Sequence, residues 1–277
     1  MFMEILHYTF FQHALWASLL ISIACGIVGA YIVSRRIVFI CGGITHASFG
    51  GLGMGFYFGM NPLLSALLFS VISAFGIEYL SHSGNYRQLR EDSVIATVWS
   101  FGMAVGVVFM FLTPGYAPNL SGYLFGNILT VSKSDLLWMA ILSAGLVLVY
   151  VLGKRTLVYV AFDRDFAFTQ HIPVRFIEYM MMMFIAITIV LSIRLIGIML
   201  LMSILTVPQM TANLFTSNYY KITVISCLLG LAGCISGLFL SYYFNIPSGA
   251  FIILVLIALF LIAKMIRFIF RIHAIKH

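Results

Sequence analysis

The chain has 277 residues, of which 62% are hydrophobic and only 8% are charged, and its mean hydropathy is +1.10. Soluble domains carry about a quarter charged residues, so this composition excludes a soluble enzyme, a nucleic-acid-binding protein and a secreted disulfide scaffold. The net charge is +7, and the Lys and Arg residues lie between the apolar runs. Basic residues in such positions set the orientation of a membrane protein. The composition predicts an all-α, polytopic membrane helical bundle that forms a single domain over residues 1–277.

Apolar runs long enough to cross a bilayer, at roughly 20 residues per helix, recur along the whole chain. Broken at charges and turn residues, they predict about nine transmembrane helices, within a range of about eight to ten. The sixth and seventh spans meet at Arg194 with almost no loop between them. The predicted spans are 16–33, 37–59, 63–80, 94–112, 136–152, 177–193, 195–214, 222–244 and 250–262.

The basic residues indicate the orientation of these spans. With the N-terminus outside, all but two of the 15 Lys and Arg residues fall inside, and only Lys133 and Arg194 fall outside. Basic residues concentrate in cytoplasmic loops. The sequence therefore predicts an outside N-terminus and a cytoplasmic C-terminus. Glu78 and Glu178 fall near cytoplasmic ends of spans, where we expect their carboxylates to reach water.

Motifs for ATP hydrolysis or other catalysis are absent from the sequence. It has no G-x-x-x-x-G-K-[ST] loop, because Gly153 and Lys154 are followed by Arg155 and preceded by an apolar helix. It has neither H-E-x-x-H nor G-x-S-x-G. If the protein drives active transport, ATP hydrolysis must reside in another chain, so we predict no catalytic residue and no enzyme activity here.

The predicted second span has the most unusual sequence of the chain, CGGITHASFGGLGMGFYFG. Gly51, Gly55 and Gly59 repeat every four residues, which favours close packing of a neighbouring helix. His46 lies about ten residues into this span. An imidazole at such depth has to be hydrogen-bonded, face water or bind an ion, so a structural hydrogen bond and a ligand role both stay open.

The predicted seventh span contains polar residues around Pro208, namely Thr206, Gln209, Thr211 and Asn213. A proline interrupts the hydrogen bonds of a helix. Broken helices at membrane depth can line cavities. The alternative is a proline kink whose free carbonyls are satisfied by threonine side chains.

Several stretches, in order along nearly the whole chain, resemble the membrane permeases of bacterial ABC importers for zinc and manganese. They read GIVGAYIVSRRIVFICGGITHASFGGLGMG, REDSVIATVWSFGMAVGVVF, YLFGNILTVSKSDL, FDRDFAFTQHIPV, LIGIMLLMSILTVPQMTANLF and LSYYFNIPSGAFIILV. The resemblance implies a bacterial cell (inner) membrane protein that forms a homodimer around a central pathway. It also implies two ATPase subunits and an extracytoplasmic metal-binding protein as partners.

The resemblance assigns the long cytoplasmic loop, at about residues 154–176, to coupling with the ATPase. Five residues are expected at this contact: Phe162, Asp163, Asp165, Phe166 and Pro173. The sequence supports this interpretation independently, because phenylalanines mixed with charged residues suit a short helix pressed into a protein groove.

The metal site departs from the pattern of the family. The family has Gly-Asp-x-x-x-His in its second span, which places a carboxylate and an imidazole on one helical face. His46 matches the histidine, but Gly42 stands at the aspartate position. Thr45, Gln209 or the partner subunit are candidates for the missing donor, and a path that never holds the metal tightly would need none.

The leading hypothesis is a permease that carries zinc, manganese or iron by alternating access. It would bind no permanent cofactor, and the divalent metal would be its cargo. Two alternatives stay open. An ABC permease for a non-metal solute would explain the missing aspartate, and an ion-gradient-driven carrier would need titratable groups in the membrane, for which only His46 is well placed.

Overall fold

The computed structural model describes residues 8–82, 91–114, 126, 128–244 and 246–275, and these residues form an all-α structure without strands. A 3₁₀ turn, Ile128–Thr130, precedes the fifth helix. The helices are α1 (Thr9–Ser34), α2 (Phe39–Tyr57), α3 (Pro62–His82), α4 (Glu91–Leu112), α5 (Lys133–Phe162), α6 (Arg164–Thr169), α7 (Val174–Ile204), α8 (Val207–Asn213), α9 (Tyr219–Phe244) and α10 (Ser248–Ile275).

Seven helical stretches of the described chain are long and apolar enough to cross a membrane, so the predicted count of about nine is not confirmed. Two differences account for this. The glycines and His46 of α2 lower its hydropathy, and α2 is not among the seven. The predicted sixth and seventh spans form one continuous stretch, Val174–Asn213, of which α7 and α8 are parts.

Helices α1 and α7 form the centre of the bundle. In the most apolar part of each, 72% of the residues are buried, whereas the corresponding shares are 22% for α4 and α5 and 11% for α10. α1 packs against α5, α7 and α9, and α7 packs against α2, α3 and α10. A helix that is apolar on all sides and buried on all sides belongs at the core, while half-exposed apolar helices face lipid.

A break at Gly197 divides α7. The residue has φ 74° and ψ 170°, a conformation that glycine adopts without a steric penalty. The backbone of Gly126 lies directly against it, and Gly126 leaves no space for a side chain. Two backbones can meet at this point because neither residue has a Cβ atom.

The chain reverses its direction after this break. Arg194 forms a 3.1 Å ion pair with Asp135 in the first turn of α5. The ring of Tyr219 lies 6.2 Å from that of Phe162, the last residue of α5. A helix of 30 residues is about 45 Å long. The chain between Arg194 and Tyr219 therefore runs back along α5.

Candidate functional site

Glycines hold α2 tightly between α3 and α4. A Cβ atom on Gly51 would come within 2.5 Å of the Ser65 carbonyl oxygen of α3. A Cβ atom on Gly53 would come within 2.5 Å of the Gly106 carbonyl oxygen of α4. The backbones of the three helices are thus in contact, which small residues permit in membranes. This packing fixes the position of every side chain on α2.

The predicted glycine face is confirmed at two of its three positions. Gly51 and Gly55 pack against α3, and a Cβ atom on Gly55 would lie 2.8 Å from Cα of Pro62. Gly59 has open space around it and φ +66°. Its role is to end α2, because the left-handed conformation after a helix favours glycine.

The His46 ring stacks on Trp99 of α4, with 4.3 Å between the ring centroids and 8° between the planes. The Phe49 ring, about one turn further along α2, lies 6.2 Å from the His46 ring. The Nδ1 atom of His46 is buried and has no hydrogen-bond partner among the described residues. A neutral imidazole offers one nitrogen as an acceptor or metal ligand. The ring is therefore held in place by stacking rather than by a hydrogen bond.

The volume beside Gly42 is already filled. A Cβ atom at this position would lie 2.8 Å from Cζ3 of Trp99 and 3.2 Å from Cε of Met202. The indole and the thioether therefore occupy the space where a carboxylate four residues before His46 would start. The sequence analysis did not single out Trp99 or Met202. The only available signal was a large aromatic residue between the small residues of α4.

The other two candidate donors have different surroundings. The Thr45 side chain is fully buried, and its hydroxyl has no partner among the described residues. Gln209 is also fully buried, and its Nε2 donates to the Cys25 carbonyl oxygen at 3.0 Å and lies against Gly29. Gln209 thus packs against α1, whereas His46 packs against α4.

Pro208 begins a helix rather than kinking one, and only the threonine bonds match the second of the two interpretations above. Pro208 lies in the first turn of α8, where no helical hydrogen bond is lost. Thr206 donates its hydroxyl to the Met202 carbonyl oxygen at 2.8 Å, and Thr211 donates to that of Val207 at 2.7 Å. The threonines satisfy carbonyl groups at this helix junction.

The described part of one copy of the chain does not contain a conventional metal site. No three His, Cys, Asp or Glu side chains cluster closely enough to hold an ion within the described ranges. A divalent ion in a low-dielectric environment favours an anionic donor or several neutral ones. An ion held at His46 would therefore need further donors.

The five residues predicted at the ATPase contact are all exposed and lie within a short stretch of the chain. The stretch predicted as a loop is largely helical, since α5 continues to Phe162 and α6 follows at once. The side chains of Phe162 and Phe166 are 57% and 43% exposed, while Ala167 beneath them is fully buried. Phe162 at the end of α5 and Phe166 on the short helix α6 form an exposed apolar surface that can contact a protein.

Asp163 is exposed and also stabilises the start of α6. It ends α5, and its Oδ1 accepts a hydrogen bond from the Phe166 backbone N–H at 2.9 Å, which caps α6. Asp165 lies in the first turn of α6, and Pro173 directly precedes α7.

The all-helical bundle, whose described residues include seven stretches able to cross a membrane, defines a multi-pass integral membrane protein. The ABC 3 transport family matches residues 7–267, and the chain belongs to this family. A manganese transport system membrane protein of Halalkalibacterium halodurans is 32% identical over 264 residues, which are 95% of this chain and 89% of the relative. An uncharacterized membrane protein of Synechocystis is 38% identical, over 95% of this chain and 93% of the relative.

A solved structure has the same fold. A chain of PsaBC from Streptococcus pneumoniae, determined in complex with Fab, superposes with a TM-score of 0.81 and 26% sequence identity. The match covers 95% of both chains. The resemblance identified from the sequence is thereby confirmed at the level of the family.

Proposed function

We propose that this chain is the membrane permease subunit of an ATP-driven importer for a divalent transition metal, namely zinc, manganese or iron. The observation that carries the proposal is the buried, unpartnered Nδ1 of His46 on a helix packed between α3 and α4. The relatives named for manganese transport support the choice of cargo. ATP would be hydrolysed by a separate subunit, and an extracytoplasmic metal-binding protein would deliver the ion.

The metal path needs two copies of the chain. His46 is only half-buried in one copy, although it lies in the middle of α2. In a homodimer related by a twofold axis, two such imidazoles would face the same pathway and supply two neutral ligands. Thr45 and Gln209 are weaker candidates, because both lie fully buried inside one copy. Without a carboxylate at position 42 the site would bind the ion transiently, as a transport pathway requires.

The ATPase would dock on α6 and the adjoining residues. Phe162 and Phe166 would enter an apolar groove of the ATPase, and the exposed Asp165 and Pro173 would lie at its rim. Asp163 would act mainly by holding α6 in its helical form. ATP-driven movement of this contact would then open the pathway to either side alternately.

We further propose nine crossings in the inner membrane of a bacterium, with the N-terminus outside and the C-terminus in the cytoplasm. The seven apolar stretches become nine when α2 is counted and when Val174–Asn213 is divided at Gly197. The pair Asp135–Arg194 would then lie outside, and Phe162 with Tyr219 would lie inside. Burial of α2 between other helices removes the need for a strongly apolar sequence there.

The test is metal uptake by vesicles that contain this chain and its ATPase. His46→Ala should remove most ATP-dependent uptake of manganese, zinc or iron while the ATPase stays bound. Thr97→Ala is the matched control, because Thr97 lies on the exposed face of α4. Normal uptake by His46→Ala would remove His46 from the pathway.

The permease for a non-metal solute is a second candidate, favoured by Trp99 and Met202 in the place of a carboxylate. Cells that lack the chain should contain less manganese, zinc or iron by mass spectrometry if the cargo is a metal. An unchanged metal content would favour the non-metal solute. Uptake driven by a proton gradient without any ATPase would favour an ion-gradient carrier.

A further inference from the structure

Four charged side chains form a buried network near the junction of α5, α6 and α7. Arg164 Nη2 lies 3.0 Å from Glu178 Oε2, and Glu178 Oε1 lies 3.2 Å from Arg35 Nη2. The same Arg35 nitrogen lies 3.4 Å from Glu78 Oε1. The side chains of Glu178 and Glu78 are 1% and 2% exposed, so the expectation that they reach water is wrong.

The network joins four elements of the fold. Arg164 is the first residue of α6, Glu178 lies in the second turn of α7, Arg35 follows α1 and Glu78 lies near the end of α3. Burial disfavours the charge on Arg35, but the Tyr31 hydroxyl and the two carboxylates outweigh it and raise the pKa of the guanidinium above its usual range. Arg35 therefore stays charged and has to keep its partners.

Buried ion pairs of this kind connect elements firmly. Separating one partner leaves the other charge buried and uncompensated, which is much less favourable than leaving the pair intact. Arg164 is anchored in α6, whose start is capped by Asp163 and whose Ala167 is buried. Any displacement of α6 must therefore move Glu178 with it or break a buried pair.

A short path leads from this network to His46. Arg35 is followed by a tight turn in which Arg36 has φ 63° and the Ile37 N–H donates to the Ile32 carbonyl oxygen at 3.1 Å. Helix α2 starts two residues later, at Phe39. His46 lies seven residues into that helix, about 10 Å along its axis. The network thus lies at the base of the helix that carries His46.

We propose that the network of Arg164, Glu178, Arg35 and Glu78 transmits movement of α6 to the helices around His46. Arg164 and Glu178 are then positioning residues that couple ATP hydrolysis to transport. The inference rests on the proposed function, since it requires an ATPase that moves α6. It adds an internal route from the docking surface to the pathway.

The experiment uses vesicles that contain the whole transporter, in which ATP hydrolysis and manganese uptake are measured together. Arg164→Gln and Glu178→Gln should each lower uptake per ATP hydrolysed by roughly tenfold or more, while the ATPase stays bound. The double variant should be no worse than Glu178→Gln, because both changes remove the same contact. Arg267→Gln, the same change at an exposed arginine of α10, should keep the wild-type ratio.

If Arg164→Gln takes up as much manganese per ATP hydrolysed as the wild type, the proposal is overturned. Loss of ATPase binding in that variant would also overturn it, since Arg164 would then be a docking residue. If Glu178→Gln does not fold, Arg164→Gln still tests the proposal, because the Arg164 side chain is partly exposed.

Hydrogen exchange in α2 with and without ATP gives a second measurement that needs no transported metal. ATP should change this exchange in the wild type and not in Arg164→Gln, and equal changes in both would contradict the network. Absence of metal uptake by the wild type, with these exchange results intact, would contradict the proposed cargo alone.

Discussion

The contact between Gly42 and Trp99 makes a quantitative prediction about helix α2. A methyl group at position 42 would lie 2.8 Å from the Trp99 ring and 3.2 Å from Met202. The indole cannot move aside without leaving its stack on His46. Forcing extra atoms into a packed core costs typically about 1–3 kcal/mol. Alanine is more favourable than glycine in a helix by roughly 1 kcal/mol, which offsets part of this cost. We expect the remainder as the loss in the free energy of unfolding of Gly42→Ala.

Gly76 provides the matched control. It lies in α3, and a Cβ atom there would meet nothing within 4 Å. Gly76→Ala should therefore show the helical gain of roughly 1 kcal/mol without the clash. Thermal unfolding in detergent measures both variants, and 1 kcal/mol corresponds to about 2–4 °C in a protein of this size class. Gly42→Ala should melt below wild type and Gly76→Ala at or above it.

Gly42→Asp extends this test to the missing carboxylate. The clash is the same, and a carboxylate is also buried, so the loss of stability should exceed that of Gly42→Ala. Trp99→Ala combined with Gly42→Asp should recover part of that loss, since the added side chain then has space. A Gly42→Asp variant that melts with wild type would refute the interpretation that Trp99 excludes a carboxylate here.

The docking surface and the helix junctions give further predictions. Phe166→Glu should reduce ATPase pull-down and uptake without changing the order of preference among metals, because it places a charge in an apolar contact; retained pull-down would contradict docking through Phe166. Asp163→Ala should weaken α6 by about 1 kcal/mol through loss of its cap, seen as faster hydrogen exchange at Phe166, whereas Asp165→Ala should leave that exchange unchanged. Gly197→Ala should lower the melting temperature, because alanine at φ 74° is strained, and an unchanged melting temperature would argue against the break in α7.

The helical class and the apolar stretches followed directly from the sequence, because an apolar run has the length of a bilayer and leaves a local signal. The number of spans did not follow in the same way. The packing role of Gly51 and Gly55 was predictable from a local signal, since their spacing of four defines one helical face. The exposed phenylalanines of α6 also had a local signal. Features set by neighbours along the chain are thus the ones that a single sequence reveals.

Contacts between distant residues leave no such signal. Gly42 meets Trp99 57 positions further along the chain, and Arg35 meets Glu178 143 positions further along. The sequence placed Glu178 at a span end and in water, because membrane carboxylates usually reach the interface. The structure instead encloses it between two arginines. A single sequence contains the charges but not their pairing.

The reversal at Gly197 is a feature that hydropathy does not register. By hydropathy, Val174–Asn213 counts as one apolar stretch, although it contains Arg175, Glu178 and Arg194. Arg194 is the charged residue in its middle, and it pairs with Asp135 at the end of α5 opposite to Phe162. A single straight helix through all 40 residues would be about 60 Å long, twice the thickness of the hydrocarbon core. The contacts of Arg194 and Tyr219 therefore require the chain to turn back, and the positive φ of Gly197 marks the place.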